Sequence, residues 1–146
     1  MNNSHIAERE IIINAPVEKI WQVLTDTSYI KQWDDVPESF REDRLSPGSK
    51  LQWDLGDGHQ SSITVTAFEP QEYLKTSLYV TRWPSPPSAY DIAYHYRIVK
   101  RGSDTMLKIT VGDFEALGEN AANYVEASEV FVKDGGDKIK ALAEAG

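Results

Sequence analysis

The sequence predicts an α+β fold in which a curved antiparallel sheet of about seven strands wraps around a long C-terminal helix. Three patterns support this. Residues 6–13 end in three consecutive β-branched isoleucines, apolar and polar residues alternate from about residue 36 to 113, and apolar residues repeat every seven positions over about 119–144. Alternation is typical of strands, and the seven-residue spacing is typical of one helix face. The predicted order of elements is therefore β-α-α-β6-α.

The first elements are a strand and two short helices. Residues 6–13 form the strand, and Pro16 then stands where a helix can begin, since a first-turn residue needs no N–H donor. The apolar face of this helix consists of Ile20, Val23 and Leu24. Asp26 and Thr27 are suited to cap a second helix, which ends near Trp33.

The alternating region reads as a series of strands joined by turns. A tight turn is predicted at residues 56–58, and another at residues 101–104. Each strand has one polar face and one apolar face, which is typical of an antiparallel sheet that is covered on one side only. The predicted cover is the helix at about 119–144.

The long helix carries an unusual Gly135-Gly136 pair on its apolar stripe. Each glycine costs roughly 1 kcal/mol relative to alanine in a helix interior. The pair has three alternative explanations: a close backbone contact with the sheet, space left beneath the helix, or a kink in the helix.

Composition limits the function classes. The chain has 146 residues, which we interpret as one domain over 1–146. Its formal charge of −8 opposes binding to nucleic acid or to an anionic membrane face.

No apolar run approaches the ~18–20 residues needed for membrane insertion, and the N-terminus shows no signal-peptide pattern. The lack of cysteine makes the reducing cytoplasm the simplest expected location. We expect no metal and no cofactor, because no ligand spacing or phosphate loop is present.

Several motifs resemble one known superfamily in their order along the chain. They are INAPVEKIWQVLTD with Trp33, the Leu45-Ser46-Pro47-Gly48 turn, Phe68-Glu69-Pro70 with Leu74, Gly102 with Thr105-Met106-Leu107, and Asp113-Phe114. The chain thus resembles the START-like (SRPBCC) helix-grip superfamily. It is most similar to the group named for the activator of the heat-shock chaperone ATPase, followed by the polyketide cyclase/dehydratase-like group. The resemblance implies the helix-grip fold, and relatives include lipid carriers, hormone receptors, cyclases and co-chaperones.

The topology predicts where a binding site would lie. In an up-and-down meander the turn at 56–58, the Pro-rich loop at 83–88 and the link at 113–118 fall at one end of the sheet, which we expect to be the mouth of a cavity. Inward-facing side chains would form its walls. The predicted ligand-binding residues are Trp53, Leu55, Ile63, Val65, Leu78, Tyr94, Tyr96, Ile109, Val111 and Asp113.

Each of these features has a structural alternative. The aromatic residues can stack on a ligand or simply fill the core. Asp113 can bind a donor group of the ligand, act as a weak base, or interact with the first N–H groups of the last helix. His59 is interpreted as a solvated turn residue, with a general base as the alternative. His95 lies out of phase with its tyrosine neighbours and is expected to face outward.

The sequence is compatible with three functions. The first is an intracellular protein that binds a small, mainly apolar molecule, lipid-like or aromatic, in a cavity between the sheet and the C-terminal helix. The second is a cyclase or dehydratase that uses Asp113 and the cavity tyrosines, although no catalytic residue is assigned. The third is a co-chaperone-like interaction protein. Self-association into a homodimer is also left open.

Overall fold

The structure is a computed structural model that describes residues 5–145. The strands are β1 (Ala7–Ile13), β2 (Lys50–Gly56), β3 (His59–Glu69), β4 (Tyr73–Val80), β5 (Ala93–Arg101) and β6 (Asp104–Gly112). The helices are α1 (Val17–Thr25), α2 (Thr27–Trp33) and α3 (Ala121–Glu144). Short 3-10 helices occur at Pro87–Ala89 and Glu115–Asn120. None of the helices in this part of the chain is long and apolar enough to cross a bilayer.

The strands form one antiparallel sheet in the order β1-β6-β5-β4-β3-β2. The first strand pairs with the last, with Ile11 opposite Leu107. The α+β class, the curved sheet and the long C-terminal helix are confirmed, but the described chain contains six strands and not about seven. The alternating strands predicted from about residue 36 begin only at Lys50. Residues 36–49 supply no extended strand, because Pro37 and Pro47 cannot donate ladder hydrogen bonds. Its one ladder contact outside the named strands is an isolated bridge between Asp26 and Arg44.

The C-terminal helix packs closely on the first strand. α3 continues through Gly135 and Gly136 without a break. A Cβ at Gly136 would lie 2.6 Å from Ile11 Cδ1 and 3.0 Å from Arg9 Nη1. Arg9 also donates hydrogen bonds to the Val132 carbonyl (3.2 Å) and to Asp137 Oδ1 (2.7 Å). Close approach to the sheet is therefore the reason for glycine at position 136.

The two N-terminal helices complete the core. Ile20, Val23 and Leu24 on α1 are fully buried, as the apolar pattern predicts. Trp33 at the end of α2 is also buried, and its indole N–H donates a 2.8 Å hydrogen bond to the Val23 carbonyl. This bond satisfies a polar group that would otherwise be costly to bury. It also fixes the end of α2, and hence the segment that follows, against the sheet.

Candidate ligand-binding site

A cavity of about 440 Å³ opens on the inner face of the sheet. Its walls come from β2, β3, β4 and β5 on one side and from the two residues after α2 on the other. The lining residues are Asp34, Asp35, Trp53, Asp54, Leu55, Ser61, Ile63, Leu78, Tyr94 and Tyr96. Sites for small molecules usually measure about 300–1,000 Å³. The cavity is therefore large enough for a small ligand.

The structure brings six of the predicted site residues together at this cavity. They are Trp53, Leu55, Ile63, Leu78, Tyr94 and Tyr96. All six occupy inward positions of strands β2 to β5, which is why alternation in the sequence places them on one face. Leu55 lies at the rim and is 39 % exposed, whereas Tyr96 lies deep in the wall and is 4 % exposed.

Val65, Ile109 and Val111 were also predicted to line the site, but the structure places them in the buried core. The two residues on β6 are sealed because α3 packs directly on β1 and β6. The cavity occupies the part of the sheet that α3 leaves uncovered. Consequently it lies between the sheet and the segment after α2, and not between the sheet and the C-terminal helix as the sequence suggested.

Aromatic side chains support the cavity from behind. The Trp33 ring contacts the Tyr96 ring edge to face, with centroids 5.9 Å apart. Phe131 of α3 makes the same kind of contact with Tyr94 at 5.3 Å and also lies 6.2 Å from Trp33. Such pairs are typically worth about 0.5–1.5 kcal/mol beyond the area they bury. They hold both cavity tyrosines in fixed orientations before any ligand arrives.

The predicted set of site residues did not include the carboxylates that line the cavity. Asp34 and Asp35 follow the buried Trp33 directly, and Asp54 lies between two inward residues of β2. The Trp53 indole donates a 2.9 Å hydrogen bond to Asp35 Oδ2. The sequence did contain a signal for these residues, namely two acidic residues directly after a helix that ends in an apolar residue. Because Trp33 is anchored in the core, the residues that follow it are directed over the sheet.

Asp34 has the most perturbed carboxyl group of the cavity. It is open to solvent through the mouth, but protein surrounds it on most sides, and this partial desolvation raises its pKa to about 6. The Asp35 backbone N–H, which donates a 2.8 Å hydrogen bond to Asp34 Oδ1, lowers this pKa, and the charge of Asp35 raises it. Asp34 therefore changes protonation close to neutral pH.

The two cavity tyrosines remain protonated at any physiological pH. Burial, followed by the nearby charge of Asp34, raises the pKa of Tyr94 to about 12 and that of Tyr96 well above its usual value. Within residues 5–145, neither hydroxyl has a hydrogen-bond partner in the protein. Both can therefore donate to, or accept from, a group placed in the cavity.

The other residues that the sequence analysis considered for a functional role, Asp113, His59 and His95, do not line the cavity. Asp113 Oδ1 accepts a 2.9 Å hydrogen bond from the Glu115 N–H at the start of the 3-10 helix that precedes α3, and it does not line the cavity. His59 Nδ1 lies 3.1 Å from Thr81 Oγ1 at the surface. His95 faces outward and hydrogen-bonds the Tyr73 hydroxyl. In the described part of the chain, no three His, Cys, Asp or Glu side chains are grouped as a metal site would require.

A sheet that curves around a long C-terminal helix and leaves a ligand-sized cavity on its inner face defines the helix-grip, START-like class. The family described as Activator of Hsp90 ATPase homolog 1-like protein matches residues 14–144, and the chain belongs to this family. Among curated proteins, none matches this sequence.

Solved structures share the fold at low sequence identity. MLL2253 from Mesorhizobium loti is 18% identical, with a TM-score of 0.69 over 94% of this chain and 95% of the other. The Aha1 dimer from Colwellia psychrerythraea is 18% identical, with a TM-score of 0.62 over 97% of both chains. CalU16 from Micromonospora echinospora is 19% identical, with a TM-score of 0.62 over 92% of this chain and 83% of that one. At these identities the likeness concerns the fold alone.

Proposed function

We propose that the protein binds a small, mainly apolar molecule in the cavity between the sheet and the segment after α2. The observation that carries the proposal is a cavity of about 440 Å³ whose wall combines Trp53, Tyr94 and Tyr96 with aliphatic side chains. Apolar walls with a few directed polar groups are typical of small-molecule sites. The unpartnered tyrosine hydroxyls are suited to fix the orientation of a polar end.

Thermal shift and calorimetry with uncharged aromatic and aliphatic alcohols test this proposal. A ligand that binds only the folded protein raises its stability as the ligand concentration exceeds the dissociation constant. We expect Trp53→Ala and Tyr94→Ala to abolish the response. Tyr73→Ala is the matched control, because Tyr73 lies on the outer face with His95. A response that survives both cavity substitutions, or the lack of any response across the panel, would overturn the proposal.

A cyclase- or dehydratase-type reaction is the second candidate, and the pKa of Asp34 favours it. Such chemistry needs an acid or base inside the cavity whose pKa lies near the working pH. Asp113 lies outside the cavity, whereas Asp34 lines it with a pKa of about 6. If the protein is an enzyme, Asp34→Asn removes turnover while Asp113→Asn retains it. The opposite result would return the catalytic role to Asp113.

A co-chaperone-like role would use the outer surface. Arg97 lies on the outer face of β5, with its guanidinium 4.3 Å from the centre of the Tyr73 ring. A pull-down with a chaperone that is lost in Arg97→Ala and kept in Trp53→Ala would support this role. Loss in Trp53→Ala alone would assign the interaction to the cavity.

We also propose that the protein self-associates as a homodimer in the cytoplasm, a state that the sequence left open. The Colwellia Aha1 structure is described as a dimer, and Ile12 and Val130 are large apolar residues that remain about half exposed here (49% and 57%). Sedimentation velocity over a wide concentration range tests this proposal, and a single monomeric species throughout would contradict it.

A further inference from the structure

The cavity combines apolar walls with a one-sided distribution of charge. Three of its lining residues are carboxylates, namely Asp34, Asp35 and Asp54, and none is Lys, Arg or His. Protein groups in the described chain occupy one oxygen of Asp34, through the Asp35 N–H, and one oxygen of Asp35, through the Trp53 indole. The Gly56 N–H occupies one oxygen of Asp54. The second oxygens of Asp34 and Asp35 accept no hydrogen bond from the described chain and can accept one from a donor in the cavity.

A second observation points to a ligand independently of these charges. Tyr96 is 4 % exposed and lines the cavity, yet its hydroxyl has no protein partner within residues 5–145. Buried polar groups in folded proteins are nearly always hydrogen-bonded. The Tyr96 hydroxyl, on a side chain that is almost fully buried, is therefore available to hydrogen-bond a group placed in the cavity.

We infer, on the basis of the proposed function, that the ligand of this cavity is an apolar molecule that carries a protonated amine. Its apolar body would pack against Ile63, Leu78 and the Trp53 ring. Its ammonium group would donate to the free carboxylate oxygens of Asp34 and Asp35. The aromatic faces of the wall add to this preference, because a ring face attracts a cation.

The same arrangement disfavours anionic molecules such as fatty acids. Their carboxylate would meet Asp34 and Asp35 in a partly desolvated site, where like charges repel strongly. The lining residues contain no cation that could compensate. The formal charge of −8 acts in the same direction at long range. The cavity thus selects ligands by charge as well as by shape.

A matched series of three probes tests the inference by calorimetry. They are 2-(1-naphthyl)ethylamine, 2-(1-naphthyl)ethanol and 1-naphthylacetate, which share the ring and differ in charge. At neutral pH the amine is protonated and the acetate ionised. We expect the amine to bind about tenfold more tightly than the alcohol, and the acetate to bind most weakly. We expect Asp34→Asn to remove the preference for the amine over the alcohol.

Asp57→Asn is the matched control, because it deletes one negative charge from the neighbouring turn without altering the lining of the cavity. Asparagine also tolerates the positive φ of 53° at this position. We expect this variant to bind all three probes like the wild-type protein. An equal loss of amine preference in both variants would overturn the assignment to Asp34.

The remaining outcomes separate this inference from the proposed function. If the alcohol binds as tightly as the amine, the inference is wrong, while cavity binding stands. If the acetate binds most tightly, the inference is likewise wrong. If none of the three probes binds, the proposed function fails together with the inference.

Discussion

The indole N–H of Trp53 donates a 2.9 Å hydrogen bond to Oδ2 of Asp35. Trp53 lies on β2, which is an edge strand of the sheet, and Asp35 lies two residues beyond the end of α2. The bond therefore joins the two sides of the cavity mouth. It also sets the orientation of the largest aromatic ring in the wall.

Asp35→Ala is expected to release the Trp53 ring. Loss of the acceptor moves the Trp53 indole resonance upfield in ¹H–¹⁵N NMR spectra. The indoles of Trp33 and Trp83, which donate to the Val23 carbonyl and to the Tyr124 hydroxyl, are internal controls and should keep their positions. Because the bond is at the surface, we expect stability to change by only about 0.5 kcal/mol. An unchanged Trp53 resonance would show that the bond does not form in solution.

Most of the fold could be predicted because its signals are local. Alternation on the strands, the apolar face of α1 and the stripe on α3 each appear within one segment of sequence, and the tyrosines of β5 follow from the parity of their strand. The missing seventh strand has a local cause too, since residues 36–49 contain charged residues and two prolines.

The site was only partly predictable because its composition depends on tertiary packing. Parity alone cannot tell that α3 seals Ile109 and Val111 while it leaves Tyr94 open to the cavity. The role of Asp34 is equally non-local. Its position depends on the anchor between Trp33 and Val23 and on the curvature of a sheet whose strands come later in the chain.

The raised pKa of Asp34 predicts a pH dependence of stability. Because this pKa is raised from 3.8 to about 6, the folded protein binds more protons than the unfolded chain between these values. Stability therefore falls as the pH rises through this window and levels off above it. The neighbouring titratable groups at the cavity are Asp35, Asp54 and the two tyrosines. The charge of Asp35 raises the pKa of Asp34, as burial does.

Asp34→Asn removes this contribution. We expect a higher Tm than wild type at about pH 8 and a smaller difference at about pH 3, below both pKa values, where both states hold the proton. The Asp34 ¹³Cγ resonance should titrate with a midpoint near 6. A midpoint near 4, or a Tm difference that does not depend on pH, would contradict the prediction.

Tyr96→Phe is expected to preserve or raise stability. The Tyr96 hydroxyl has no protein partner within the described residues, so its removal sacrifices no protein hydrogen bond. Tyr79→Phe is the matched control, because the Tyr79 hydroxyl donates a 2.7 Å hydrogen bond to the Ser85 carbonyl. Chemical denaturation should show a loss of about 0.5–1.5 kcal/mol for the control. A loss of this size for Tyr96→Phe would indicate that a buried water satisfies its hydroxyl.

Gly136→Ala is expected to destabilise the protein even though alanine favours helices. The added Cβ would lie 2.6 Å from Ile11 Cδ1, and Ile11 is itself buried. Overpacking of this kind typically costs about 1–3 kcal/mol, and the gain in helix propensity offsets about 1 kcal/mol. We therefore expect urea denaturation to show a net loss of up to about 2 kcal/mol.

Gly135→Ala is the control that measures the gain in helix propensity without the close contact that Gly136 makes with Ile11. The three atoms nearest to a Cβ there all belong to the Phe131 ring, at 3.3–3.8 Å, and that side chain is half-buried and can shift. We expect its stability to stay within about 1 kcal/mol of wild type, because a small strain opposes the gain in helix propensity.

Ile11→Val, which deletes the clashing Cδ1 atom, should rescue Gly136→Ala in a double-mutant cycle. The double variant should be more stable than the sum of the two single effects predicts, because the free-energy changes of substitutions at residues in direct contact are not additive. If Gly136→Ala proves as stable as wild type, or if the two substitutions simply add, α3 does not lie as close to β1 as the structure shows.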